Sequence, residues 1–390
     1  MAGTPTRTID PEDEKALLDA VERFLDRDVK PHAAALDHAD EYPHEMVEKM
    51  KALGLFGATI GTEYGGLGLP ATTYARIIER LSYAWMSVSG IVNSHLIMAA
   101  AVERFGTDEQ KKKYLPRFAT GELRGGVALT EPDCGTDLQA IRTVAKREGN
   151  QGYVVNGAKM WITNSYYGNC FALLAKTDPS ATPAHRGMSL FIAEKGDGFT
   201  VSRKLKKLGY HGIDTCELVF EDYRVPADNL IGGAEGRGLQ QILSGLELGR
   251  INIAARGVGI AQAALDEAVR YAQMRKTFGK TIAEHQAIQL KLADMATRAQ
   301  AARLLTRDAA EAYTRGERCD MEAGMAKLFA SEAAIDNSLD AMRIHGAYGY
   351  SQEFPIERMY RDAPLLAIGE GTNELQRIII ARQLIERNKV

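Results

Sequence analysis

The segment GYVVNGAKMWITN, residues 152–164, decides the predicted fold, because it places a β pattern in the middle of the chain. It contains two apolar, β-favouring runs with Asn156-Gly157 between them. Asn-Gly between such runs is the strongest short signal for a β-hairpin, since both residues tolerate the positive φ angles of a tight turn. We therefore predict that the chain reverses direction at Asn156 and Gly157.

Short runs of the same kind surround this segment. They read CFALLAK (170–176), MSLFIAE (188–194), GFTVSR (198–203) and TCELVFEDYRVP (215–226), with turn residues between them. Regularly spaced short strands predict a small antiparallel β domain of about a hundred residues. We place its boundaries at residues 124 and 236.

Residues 1–123 are predicted to form a helical domain. A first helix beginning at Pro11 is indicated by apolar residues that share one face: Leu17, Leu18, Val21, Phe24 and Leu25. Thr107 is a predicted cap for a later helix that ends near Gly121. The N-terminal part of the chain therefore packs as helices.

Residues 237–390 are predicted to form an antiparallel four-helix bundle. Three long, Ala-rich stretches span residues 239–275, 284–316 and 322–346. A fourth helix follows Asn373, which we predict as its cap, with Gln376 at the third helical position as in a capping box. The fold class is thus mainly α with a central β domain.

Composition argues against several functions. A formal net charge of -3 over 390 residues leaves no electrostatic footprint for nucleic acid. Four separated cysteines without a CxxC pair, and eight histidines without HExxH, argue against a metal site and suit a reducing cytoplasm. The N-terminus lacks a signal-peptide h-region, and no apolar run reaches the ~18 residues of a membrane helix.

Glu370 is the candidate catalytic residue. It stands between Gly369 and Gly371, just before the last predicted helix. A buried carboxylate at this place could act as a base with a raised pKa. The same pattern also fits a glutamate in a surface turn, so the residues alone leave both interpretations open.

Two other features have two interpretations each, and a third, Arg275, has a structural one. The loop ALTEPDCGTD, residues 128–137, fits a ligand cradle or a plain turn. Trp161 and Thr163 face the same side of a predicted strand, where Trp161 suits either stacking on a flat ring or a place in the core. Arg275 lies near a helix end, where a cation complements the helix dipole.

Taken together, six segments resemble the acyl-CoA dehydrogenase family, including its short-, medium- and branched-chain enzymes, from about residue 12 to residue 388. In order they are LTEPDCGTD, VNGAKMWITN, FEDYRVP, RKTFGKTIAEHQAIQ, HGAYGY and GEGTNELQR. The resemblance implies an FAD enzyme that introduces an α,β double bond into an acyl-CoA thioester to give the trans-2-enoyl-CoA. It implies that Glu370 removes the α-proton while FAD N5 accepts the β-hydride. Gly249 stands where some relatives place the base instead, so Glu370 has no visible rival.

The resemblance also implies the cofactor residues. Those implied for FAD are Leu129, Thr130, Gly135, Thr136, Trp161, Ile162 and Thr163, then Arg275 and Gln286 from a neighbouring subunit, then Arg343, Ile344, His345, Gly346 and Ala347, and finally Gly371, Thr372 and Asn373. Sharing of a site between subunits implies a homo-oligomer, and relatives of this length imply a tetramer.

On the substrate side, the resemblance implies contacts from Thr136, Glu247, Arg250 and Gly369. Arg250 fits either a contact with CoA or a structural ion pair. Gly369 stands where many relatives carry Tyr, so it admits a branched or cyclic acyl group unless another side chain fills the space. Glutaryl-CoA dehydrogenases carry an arginine on an early helix, and its absence from YAWMSVSGIVNSHL argues against a dicarboxylic substrate.

The implied partners are an acyl-CoA and an electron-transfer flavoprotein. An acyl-CoA oxidase and a dehydrogenase of carrier-protein thioesters are alternatives on the same fold. A noncatalytic helical scaffold is the alternative from a different class.

Overall fold

The computed structural model of the protein describes residues 7–389, so the first six residues of the predicted N-terminal domain and Val390 lie outside it. The N-terminal part is helical, as predicted. Its α-helices are α1 (Pro11–Phe24), α2 (Ala33–Ala39), α3 (His44–Ala52), α4 (Ala71–Ala84), α5 (Met86–Phe105) and α6 (Asp108–Ala119).

Two predicted helix starts are confirmed. The carboxylate of Asp10 accepts a hydrogen bond from the backbone N–H of Glu12 at 2.8 Å, and Pro11 opens α1. Thr107 caps α6 in a capping box with Gln110.

Helix α5 is the core helix that carries part of the site. It is the one described helix that is long and apolar enough to cross a membrane by composition. Because 83% of its most apolar window is buried inside the protein, α5 fits the core of the helical layer.

The central domain contains seven strands: β1 (Gly125–Ala128), β2 (Val144–Glu148), β3 (Gly152–Thr163), β4 (Cys170–Lys176), β5 (Met188–Glu194), β6 (Phe199–Lys204) and β7 (Thr215–Pro226). They form one sheet in the order β1-β4-β2-β3-β7-β6, and β5 also pairs with β4. The predicted antiparallel pairing holds for most neighbours, but β1 and β2 both pair with β4 in parallel. The sheet is therefore mixed.

The predicted hairpin at Asn156-Gly157 is wrong, because β3 runs straight through both residues. It pairs with β7 on either side of them, with a register shift between Val155 and Gly157. The amide of Asn156 donates to Asp222 Oδ1 at 3.1 Å and accepts from the Asp222 N–H at 2.9 Å. Gly157 has φ +148°, and a side chain there would press against Thr143. Asn-Gly here forms a bulge that bends a long strand.

The C-terminal part contains α7 (Gly238–Met274), the short strands β8 (Lys276–Thr277) and β9 (Lys280–Thr281), α8 (Gln286–Thr314), α9 (Asp320–His345), α10 (Ile356–Ile368) and α11 (Asn373–Arg387). The four predicted helices are present. The described residues add a fifth, α10, which packs on α9 and α7. Pro355 before α10 and Pro364 within it hide this helix from pattern reasoning. The predicted four-helix bundle is thus a five-helix domain.

Candidate active site

Glu370 lies in a strained turn between α10 and α11. Its φ is +55°, and Gly371 follows at φ +90°. A glutamate in the left-handed region is unfavourable, and such strain persists where the surroundings hold it in place. The turn therefore has to be fixed by its neighbours.

The predicted cap of the last helix is wrong by one residue. Thr372 is the cap, since its Oγ1 accepts from the Leu375 N–H at 3.3 Å. Asn373 is instead buried, and its amide donates to Ser331 Oγ at 3.0 Å. Asn373 is hydrogen-bonded to residues of α9, a contact that the local sequence does not show.

Lys327 of α9 holds the Glu370 turn from both sides. Its ammonium donates to the Ala367 carbonyl at 3.2 Å and to Asn373 Oδ1 at 2.9 Å, three residues before and three after Glu370. Burial lowers the pKa of Lys327 to about 8. Sequence reasoning missed this residue, because a lysine within a long helix pattern resembles a surface residue.

The Glu370 carboxylate is enclosed between α5 and α7. Its Oε1 accepts a hydrogen bond from the Asn93 amide of α5. Its Oε2 is buried and has no hydrogen-bond partner within residues 7–389. Gly249 of α7 lies against this oxygen, and a methyl group there would overlap it. Glu370 therefore does not fit the interpretation as a surface turn residue.

Burial is the largest influence on the Glu370 carboxyl, and it raises the pKa. The Asn93 hydrogen bond opposes this rise most strongly, and the charges of Arg256, Lys327 and Arg250 also oppose it. The balance leaves the pKa of Glu370 above its ordinary value. A carboxylate of this kind binds a proton more readily than one in water, as a base for a weak carbon acid must.

Replacing Asn93 with leucine tests this balance. Asn93→Leu removes the largest influence that lowers the pKa of Glu370, so the pKa should rise further. Since only the ionised carboxylate acts as a base, flavin reduction by substrate should slow at acidic pH and recover at alkaline pH. Anaerobic stopped-flow rates across pH measure the shift.

Asn388→Leu, at the exposed end of α11, is the matched control. An acid limb that stays in place would contradict the role of Asn93.

The loop 128–137 and the end of β3 lie together, as two predicted FAD segments should. The Met160 N–H donates to the Thr130 carbonyl at 2.8 Å. Leu129 and Ile162 are buried, whereas Gly135 and Thr136 are exposed. Trp161 is 58% exposed with φ +64°, so its interpretation as a core residue is wrong.

A buried ion pair that sequence reasoning missed supports this region. The Lys159 ammonium donates to Glu131 Oε1 at 2.8 Å and to the Leu129 carbonyl at 3.0 Å. Glu131 also accepts from the backbone N–H of Arg142 and Thr143. The pair joins β3 to the loop and fixes their relative position.

One turn of α5 connects this region to Glu370. The Asn164 amide donates to the Ile91 carbonyl at 2.8 Å and to the Gly125 carbonyl at 2.9 Å. Asn93, two residues along α5, donates to Glu370. The predicted flavin segment and the predicted base are thus neighbours across α5.

The remaining predicted FAD residues lie elsewhere. Arg275 follows α7 and Gln286 begins α8, and both are exposed. Residues 343–347 lie at the end of α9, with Ile344 buried and His345 stacked on Tyr271 at 4.1 Å between ring centroids. Within the described chain, no hydrogen bond joins Arg275, Gln286 or residues 343–347 to the Glu370 site.

The predicted substrate residues lie on either side of Glu370. Arg250 is 9% exposed, and it forms no ion pair with any described residue, so the structural ion-pair interpretation lacks a partner. Burial lowers the pKa of Arg250 and raises that of Glu247, three residues earlier. At Gly369 a methyl group would meet only Leu365, with its carbonyl at 3.3 Å. Apart from the chain neighbours of Gly369, no other described residue comes within 4 Å of that methyl position.

These residues fit an isoalloxazine and a thioester. The exposed Trp161 indole offers a flat apolar surface beside the loop. At Gly135 a methyl group would touch only Thr130, at 3.7 Å, which leaves the loop open to a close approach. The order of helical, β and helical parts, together with a buried carboxylate oxygen that lacks a partner within residues 7–389 beside the predicted flavin segments, is that of a flavin-dependent oxidoreductase.

Comparisons with known proteins agree with this class. The sequence matches the acyl-CoA dehydrogenase N-terminal domain at residues 11–122, the middle domain at 126–223 and the C-terminal domain at 236–385. It is 43% identical to an acyl-CoA dehydrogenase of Bacillus subtilis (strain 168), covering 94% of this chain and 96% of that protein. The chain belongs to the acyl-CoA dehydrogenase family and is an FAD-dependent oxidoreductase.

Solved structures show the same fold. Butyryl-CoA dehydrogenase from Megasphaera elsdenii superimposes with a TM-score of 0.93 at 35% identity, covering 97% of this chain and 99% of that chain. A chain in a structure described as the electron transferring flavoprotein of Acidaminococcus fermentans superimposes with a TM-score of 0.93 at 38% identity, with coverage of 97% and 99%.

Proposed function

We propose that this protein dehydrogenates an acyl-CoA thioester between its α and β carbons, giving the trans-2-enoyl-CoA. Glu370 Oε2 removes the α-proton in this proposal. The observation that supports it most directly is the placement of this oxygen, which is buried and has no partner within residues 7–389. A base prepared for a substrate proton has such an unsatisfied oxygen.

The chain's own residues supply position, exclusion of water and electrostatics. The strained turn, held by Lys327, aims Glu370 at the space beside Gly249. Exclusion of water strengthens hydrogen bonds to the thioester carbonyl, and the Glu370 N–H is the donor that we propose. When bound, FAD accepts the β-hydrogen as hydride at N5.

We also propose the contacts of FAD and substrate. Residues 129–130, 135–136, 161–163 and 371–373 contact the flavin of the same subunit. Arg275, Gln286 and residues 343–347 contact FAD across a subunit interface, which agrees with their separation from the Glu370 site. Thr136, Glu247, Arg250 and Gly369 contact the acyl-CoA.

We propose a homotetramer with three domains, 1–123, 124–236 and 237–390, in the cytoplasm. Exposed apolar side chains on α8 and α11 support an interface between subunits, and they are Leu290, Leu304, Ile378, Leu384 and Ile385. We propose an electron-transfer flavoprotein as the electron acceptor, on the basis of the family resemblance and of the solved chain reported with such a protein.

Anaerobic bleaching of bound FAD tests the function. We expect at least one acyl-CoA from a panel of straight, branched, aromatic and dicarboxylic thioesters to reduce the flavin within seconds. A flavin that stays oxidised with every thioester would favour the noncatalytic scaffold. Rapid peroxide formation in air would favour an acyl-CoA oxidase. Flavin reduction only by a carrier-protein thioester would favour a dehydrogenase of carrier-protein thioesters.

A further inference from the structure

Arg256 of α7 is a buried cation without an anionic partner. It is 2% exposed, and its Nε and Nη2 have no hydrogen-bond partner within residues 7–389. Its Cζ lies 4.9 Å from the centre of the Tyr210 ring. No carboxylate of the described chain forms an ion pair with it, and within this chain it interacts with the Tyr210 side chain and with the charge of Glu370. A buried guanidinium left in this state is costly, which indicates that a group outside the chain completes the site.

Arg256 lies on the same face of α7 as Gly249, against which the Glu370 carboxylate packs. We call the region between this face of α7 and α5 the groove. Gly249, Asn252 and Arg256 stand at positions i, i+3 and i+7 of α7, so they share one face. The axial distance from Gly249 to Arg256 is roughly 10 Å. Because helical side chains point back toward the N-terminus of their helix, the Arg256 side chain is directed toward the Gly249 end, where Glu370 lies.

The opposite wall is α5, and the far end of the groove is closed. Asn93 of α5 donates to Glu370, and Gly90 lies one turn before it. A methyl group at Gly90 would overlap the Tyr210 hydroxyl, so Tyr210 fits closely against α5 while its ring lies against Arg256. An acyl chain that starts at Glu370 and follows this groove therefore ends at Arg256 and Tyr210.

The groove wall is polar rather than apolar. The amide of Asn252 donates to the Tyr74 hydroxyl at 2.7 Å, and its Oδ1 is buried without a partner in the described chain. The Oδ1 of Asn93 is in the same state. A plain alkyl chain would leave these atoms and the guanidinium unpaired. A hydrated anionic end would pair the guanidinium directly and the amide oxygens through water.

We propose that Arg256 binds a carboxylate at the distal end of the acyl group, so that the substrate is the CoA monothioester of a short dicarboxylic acid. This inference rests on the function proposed above. It reverses the expectation drawn from the absence of an arginine on α5, because the cation comes from α7 instead. Glu370 removes the α-proton as in the function proposed above, and no bond to the distal carboxylate breaks, so the product keeps both that carboxylate and the thioester.

The test compares two thioesters of equal chain length, glutaryl-CoA and pentanoyl-CoA, with the FAD-loaded protein. Dissociation constants come from the change in flavin absorbance, and rates come from anaerobic flavin reduction. We expect the wild type to bind glutaryl-CoA at least tenfold more tightly, which corresponds to about 1.4 kcal/mol. Arg256→Met should abolish this preference, and Arg256→Lys should restore part of it.

The control is Arg303→Met, which removes a half-buried arginine that already has a carboxylate partner, Glu79 at 2.9 Å. It should keep the preference for glutaryl-CoA. A wild type that prefers pentanoyl-CoA, or an Arg256→Met variant that weakens both ligands equally, would overturn the inference and leave the proposed dehydrogenation intact. If Arg256→Met does not retain FAD, the inference is tested by the ratio of the two dissociation constants in the wild type and in Arg256→Lys. Failure of every thioester to reduce the wild-type flavin would overturn the proposed function itself.

Discussion

Glu370→Gln should abolish reduction of the flavin by acyl-CoA, with a loss of at least about 10³-fold in the anaerobic rate. The substitution keeps the size of the side chain and its acceptor for Asn93, but it removes the oxygen that takes the proton. FAD content and acyl-CoA binding should remain, because the amide leaves the turn and its contacts with α9 in place. Stopped-flow absorbance of the flavin measures the rate, and spectral perturbation by the ligand measures binding.

The matched control is Glu374→Gln, four residues later, at an exposed position in the first turn of α11. It should reduce flavin at close to the wild-type rate, because this carboxylate faces solvent. A Glu370→Gln variant that still reduces its flavin at a near-normal rate would show that another group is the base. A variant that loses FAD as well would point to a positional role for the carboxylate in place of proton removal.

The parts of the fold that the sequence predicted are those with long periodic patterns. The helices α7, α8, α9 and α11 were visible because apolar residues recur at helical spacing over many turns. Helix α10 was missed because it is short and contains Pro364. The supposed hairpin at Asn156-Gly157 failed because β7 pairs on both sides of the dipeptide, which local turn chemistry does not reveal.

The candidate site divides in the same way. Glu370 and the predicted flavin segments can be proposed from the sequence because each lies in a short motif. Asn93, Lys327 and Arg256 were missed, since each acts on a residue far away in the sequence. Asn93 is 277 residues from Glu370, and Lys327 is 46 residues from Asn373. Only the packing of α5, α7 and α9 brings these side chains to the Glu370 turn.

The reason for a glycine at a helical position can also be seen only in the three-dimensional structure. Gly249 was noted because some relatives place a base there, but the sequence shows no further reason for a glycine. In the structure it makes room for the Glu370 carboxylate. A methyl group at Gly249 would overlap Glu370 Oε2 and lie 3.1 Å from Ile97 Cδ1.

Gly249→Ala should therefore lower the rate of flavin reduction by about 10²-fold, because displacement of a catalytic group by about 1 Å has effects of this size. Alanine favours a helix over glycine by up to about 1 kcal/mol, so the variant should fold at least as well as the wild type apart from local strain. FAD should stay bound, since the nearest atoms to a methyl group at Gly249 belong to Glu370 and Ile97, outside the predicted FAD segments. The loss would then arise from the position of Glu370 and not from unfolding.

Gly245→Ala, one turn earlier on the same helix, is the matched control. A methyl group there would lie 3.7 Å from Ile97 Cγ2 and 3.8 Å from the Ile97 carbonyl, which are ordinary contacts. This variant should therefore retain most of the wild-type rate with the same gain in helix propensity. Equal rates for the two alanine variants would mean that the Glu370 carboxylate does not need the space at Gly249. Loss of activity in Gly249→Ala alone would locate the proton-accepting oxygen against Gly249 of α7.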